Sequence, residues 1–146
     1  MKNPILCLFL TLVVFSPLCA KAENWSQFRG PNGSGVVDSA KPPTVFGPEE
    51  NVRWKSAVPA GVSSPIVWED RIFLTGTVYE TLVTVAYDAD NGRELWRREV
   101  QPEKLENTHA FSSAASSTPC TDGERVYVYF NSFGVVVYDW EGKEVW

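Results

Sequence analysis

Short apolar runs separated by turn residues dominate the chain from residue 64 onward, and they predict strands rather than helices. A first group reads as Ser64–Trp68, Arg71–Thr75, Leu82–Tyr87 and Glu94–Val100, with Glu69-Asp70 and Asp90-Asn91-Gly92 as tight turns. A second group follows over Thr118–Thr121, Arg125–Phe130, Val135–Tyr138 and Lys143–Trp146, turned by Asp122-Gly123-Glu124 and Trp140-Glu141-Gly142. Val126–Phe130 and Val135–Tyr138 do not alternate with polar residues, which implies sheets covered on both faces.

The two groups are copies of one unit. Pro65, Arg71, Ala86-Tyr87-Asp88, Gly92 and Leu95-Trp96 are followed in the same order by Pro119, Arg125, Val137-Tyr138-Asp139, Gly142 and Val145-Trp146. Proline stands six residues before arginine in both, and the copies are offset by about fifty residues, the spacing of repeated supersecondary units. The repeats are assigned to 52–146, with one full unit over 64–100 and the next over 117–146. Val52-Arg53-Trp54-Lys55 resembles the closing strand of a unit whose other strands are missing upstream, as in a ring whose last strand comes from the start of the chain.

Upstream of the repeats the pattern changes twice. Residues 1–22 read as a signal peptide: Lys2 is the positive end, Ile5 to Phe15 the apolar stretch, and Ala20-Lys21-Ala22 a small-x-small cleavage signal. An exported protein of the periplasm or cell envelope is expected. The apolar stretch is shorter than the roughly twenty residues of a membrane span, and no later segment is a candidate. Residues 23–51 form an irregular arm rich in Gly, Pro, Ser and Asn, with Trp25 and Phe28 as aromatic anchors.

Composition narrows the chemistry. With 44% apolar residues, 13% aromatics and ten each of glycine and proline, the profile is all-β. The net charge is −5, and it becomes more negative once Lys2 and Lys21 leave with the leader, so binding to nucleic acid by bulk electrostatics is disfavoured. Cleavage also removes Cys7 and Cys19. Cys120 is then the lone thiol, expected to be buried or inert in its strand.

No catalytic constellation emerges. Asp88, Asp90 and Glu99 mimic a calcium loop, but the glycine falls one position early and Leu95-Trp96 continue as a strand. Gly61-Val62-Ser63-Ser64-Pro65 lacks the final glycine of a nucleophile elbow, and Gly30–Gly35 has no lysine for a phosphate loop. The chain holds one histidine, so metal sites built on several His ligands are excluded. That residue, His109, lies in the long connection Gln101–Ser117 and is a weak loop candidate.

Ala86-Tyr87-Asp88-Ala89-Asp90-Asn91-Gly92-Arg93-Glu94-Leu95-Trp96 resembles the tryptophan-docking motif of PQQ-like, quinoprotein-type β-propellers, A-x-D-x-x-T-G-x-x-x-W. Asn91 replaces its threonine, and the second copy has Val137 for alanine and a turn one residue shorter. Trp25 to Gly35 is also similar to the start of exported bacterial proteins of this kind, some related to the outer-membrane assembly scaffold lipoprotein. The resemblance implies an all-β propeller of four-stranded antiparallel blades, with Asp88, Gly92, Trp96, Asp139, Gly142 and Trp146 as structural docking residues. Propellers close with four to eight blades. About two are present here, so an incomplete ring, an N-terminal fragment of a longer product, is expected. Its exposed blade faces are expected to promote self-association. Two functions follow from the resemblance: a non-enzymatic scaffold binding protein partners through its loops, or part of a PQQ-dependent dehydrogenase. PQQ is implied by the resemblance alone, and no residue is assigned to it.

Overall fold

The computed structural model describes residues 23–146, so the expected leader and its two cysteines lie outside the described residues. Seven strands form two antiparallel sheets. β1 (Ile66–Trp68), β2 (Arg71–Val78), β3 (Thr81–Asp88) and β4 (Glu94–Val100) pair in sequence order. β5 (Cys120–Thr121), β6 (Arg125–Phe130) and β7 (Gly134–Asp139) do the same. These are two blades of an all-β propeller that does not close into a ring.

The core lies between the blades. Ile66, Phe73, Leu82, Ala86 and Trp96 of the first meet Val126, Val128, Phe130, Val136 and Tyr138 of the second, all buried. Val83, Val85 and Tyr87 form a second buried cluster with Ile72, Leu74 and Val78. These residues point to the opposite face of β2 and β3, as strand alternation requires. The segment before β1 runs along the first blade: Ala57 O accepts from Tyr87 Oη at 3.1 Å, and Ala60 pairs with Thr77. Both faces of β3 are thereby filled, which is why its apolar run does not alternate.

β3 and β7 each extend one residue beyond the sequence reading at both ends, and three further boundaries differ for local reasons. β1 begins at Ile66 rather than Ser64. Thr75 bonds the Ser63 side chain with both its N–H (3.1 Å) and its carbonyl (2.8 Å), and Ser64 N–H goes to Thr118 Oγ1, while Pro65 has no N–H to give. Thr118 is thus also spent outside its own sheet, and β5 starts only at Cys120. β2 runs past Gly76 to Val78. A Cβ at Gly76 would fall 2.5 Å from Pro59 Cβ, so glycine here admits a close crossing instead of ending the strand.

The expected strand Lys143–Trp146 is reduced to a bridge between Glu144 and Tyr138, although Val145 N–H still bonds Val137 O at 2.8 Å. Val52–Lys55 forms no strand either. Of the arm's two expected anchors, Trp25 pairs with Val67 on the free edge of β1, whereas Phe28 is 60% exposed.

Candidate functional site

Two turns at one end of the blades are built alike. In the first, Asp88 Oδ1 accepts from Asp90 N–H (2.9 Å), its Oδ2 accepts from Asn91 Nδ2 (2.9 Å), and Gly92 N–H bonds Asp88 O (2.8 Å). In the second, Asp139 Oδ1 accepts from Glu141 N–H (3.1 Å) and Lys143 N–H (2.7 Å), and Gly142 N–H bonds Asp139 O (3.0 Å). The longer turn uses Asn91 as a relay. Its Oδ1 takes the Arg93 N–H at 2.9 Å, where the shorter turn lets the aspartate reach Lys143 directly. These donors, the Asp90 N–H first, hold the Asp88 carboxyl below its usual range.

A tryptophan from the preceding unit lies over each glycine. Gly92 (φ +72°) and Gly142 (φ +79°) occupy the left-handed region, and a Cβ there would fall 2.8 Å from Trp54 Cδ2 and 2.6 Å from Trp96 Cδ2 respectively. The indoles also donate: Trp54 Nε1 to Ala89 O and Trp96 Nε1 to Trp140 O, both at 3.0 Å. Ala89 and Trp140 each directly follow the turn aspartate. Two residues beyond each tryptophan, Ser56 Oγ and Arg98 Nε donate to the carbonyls of Gly92 and Gly142.

Arg71 completes the contact between blades. Its guanidinium donates to Trp140 O and sits 4.9 Å from the Trp140 ring centroid. Phe73 packs edge-on against Trp140 at 5.2 Å and tilted on Trp96 at 5.8 Å. The repeat places Arg125, Tyr127, Val137, Val145 and Trp146 where the first unit has Arg71, Phe73, Ala86, Leu95 and Trp96. These five residues line an open cleft of about 320 Å³ on the far side of the second blade. Trp146 is 75% exposed where Trp96 is 7% exposed.

A family model described as Outer membrane protein assembly factor BamB, the PQQ_2 repeat family, matches residues 46–146. The chain belongs to this family. No curated protein matches it. The family match takes in both aspartate turns and begins upstream of Trp54, so the segment that lies over the first blade falls within it.

The remaining candidates sit elsewhere. His109 is exposed in the connection between the blades, its Nδ1 accepting from Phe111 N–H at 3.4 Å and its ring tilted against Phe111. It is at the opposite end of the strands from the aspartate turns. Cys120, expected in a strand interior, is exposed, yet desolvation and the nearby Asp122 carboxylate raise its thiol pKa and disfavour the thiolate. Among the described residues no three His, Cys, Asp or Glu side chains converge as metal donors.

Sequence reasoning missed several participants. Arg71 and Arg125 were visible as a repeated arginine, but only the structure shows what the first one touches. A second kind of tryptophan–glycine pair, Trp68 over Gly123 (φ +96°), also links the blades. It has no counterpart in the repeat, since Asp122 stands where the first unit has Trp68.

Proposed function

We propose that the protein is an exported, non-enzymatic interaction scaffold of the cell envelope, and that the patch of Arg125, Tyr127, Val137, Val145 and Trp146 receives a protein partner. The observation that carries this reading is the equivalence of that patch to a surface buried within the molecule. Its counterpart holds a turn whose Trp140 carbonyl accepts from both the arginine and the indole, with a glycine under the indole ring. The partner surface is therefore a propeller blade presenting an aspartate-capped turn with a left-handed glycine. Membership of a family described by outer membrane protein assembly supports both the protein partner and the envelope location. A photo-crosslinking residue at Tyr127, in a chain expressed with its leader, is expected to capture a defined envelope protein. The same probe at Lys55, on the opposite side of the first blade, is expected not to. Equal capture at both positions, or a cytosolic chain after fractionation, would overturn the reading.

A further inference from the structure

We infer that the protein carries a groove for neutral, polyhydroxylated ligands, oligosaccharides of pyranose rings, at the end of the blades opposite the aspartate turns. The inference does not rest on the scaffold reading, because it uses a different surface. Antiparallel pairing sends the β2–β3 turn, the β4–β5 connection and the β6–β7 turn to the same end of the strands. Two adjoining clefts open there, of about 310 and 420 Å³, and the β4–β5 connection is the wall they share.

That wall is fixed from beneath. Ala115 is fully buried, Leu105 packs on the core, and Thr75 Oγ1 donates to Ala115 O (3.3 Å) and Ser117 O (2.9 Å). Glu106 N–H bonds Ser132 Oγ at 2.9 Å and ties the connection to the β6–β7 turn. A groove held this way is preformed, so a ligand need not order it.

Its lining selects the ligand class. The Ser112 hydroxyl, bonded at 3.1 Å to Ser116 Oγ, the Thr108 hydroxyl and the Asn107 amide line the wall with groups that both donate and accept, while the Asn131 amide holds Tyr129 Oη and the Glu106 carboxylate in place. Tyr129, half exposed, and Tyr79, almost fully exposed, place one aromatic ring in each cleft. The Glu106 carboxylate is engaged by Asn131 Nδ2, and the net charge of the chain opposes anions. Neutral two-way hydrogen-bonding groups beside flat rings suit sugars, whose hydroxyls pair at the edge while a C–H face covers the ring. Two adjoining clefts fit at least two rings.

Titrating the protein with chitotriose and with maltotriose, followed by backbone amide NMR, tests the proposal and separates cell-wall-type sugars from glucose chains. Saturable shifts in Ser112, Ser116, Tyr129 and Asn131 with either sugar, at a Kd of about 1 mM or below, are expected. Tyr129→Ala and, as a milder second variant, Asn131→Ala should each weaken binding about fivefold or more, while Phe28→Ala, in the exposed part of the arm, leaves it unchanged. No saturable shift by about 10 mM of either sugar, or undiminished binding in both groove variants with unchanged circular dichroism, would overturn it.

Discussion

Gly142 and Gly134 both adopt positive φ, +79° and +116°, but only at Gly142 does an indole occupy the place of a Cβ. The pair separates backbone strain from lost packing. Gly134→Ala should cost about 1–2 kcal/mol, the strain of placing an L-residue there. Gly142→Ala should cost roughly 2–4 kcal/mol, because Trp96 must also lift from the turn. Urea unfolding followed by tryptophan fluorescence measures both, and equal losses would mean that the Trp96 contact contributes little. Asp122 offers a second residue-scale test. Its carboxyl is lowered to about 2, first by the Tyr127 hydroxyl at 2.7 Å and then by the N–H groups of Arg125 and Glu124. A depressed carboxyl stabilises the fold above its unfolded pKa, near 3.8, and loses that contribution as pH falls toward 2. Acid titration of Asp122→Asn should therefore show a smaller loss of stability between about pH 4 and pH 2 than the parent chain. The residue is exposed, so the effect is small.

At the scale of elements, β4 and β6 were legible in the sequence to the residue, because each starts just after a turn that its Asn-Gly or Asp-Gly residues mark. β1 and β5 were not. Their starts depend on Ser63 and Thr118 side chains reaching the neighbouring strand or blade, and a side chain standing in for a backbone partner leaves no mark in hydrophobic patterning. The arm was legible only as irregular. Its backbone spans the inner edges of both blades: Trp25 exchanges two hydrogen bonds with Val67, at 2.7 and 2.8 Å, and Ser26 O accepts from Thr121 N–H at 2.9 Å. Deleting residues 23–35 should therefore accelerate hydrogen exchange at Val67 and Thr121 more than at Val126 or Tyr138, as read by exchange-coupled NMR. A uniform acceleration would assign the arm to global stability instead.

For the whole molecule, the aspartate, glycine and tryptophan recur in register, and the contacts of Trp54 and Trp96 join different units rather than closing within one. What recurrence could not supply was direction. The tryptophan of each unit lies on the turn of the next, so the contact is head-to-tail and the two sides of the molecule differ. Trp146 and its neighbours Tyr127 and Val145 leave one side apolar and open, partly or largely exposed. Sedimentation velocity should show concentration-dependent association through this side, weakened by Trp146→Ala without loss of melting temperature. An unchanged association in that variant would place the contact elsewhere.

The segment around Trp54 has a consequence best put in the language of polymer growth. By lying on the Gly92 turn it fills the slot that an incoming tryptophan would need, so that side of the first blade is capped. A unit arriving there would have to take in the Trp54 segment as the finishing piece of its own blade or evict it.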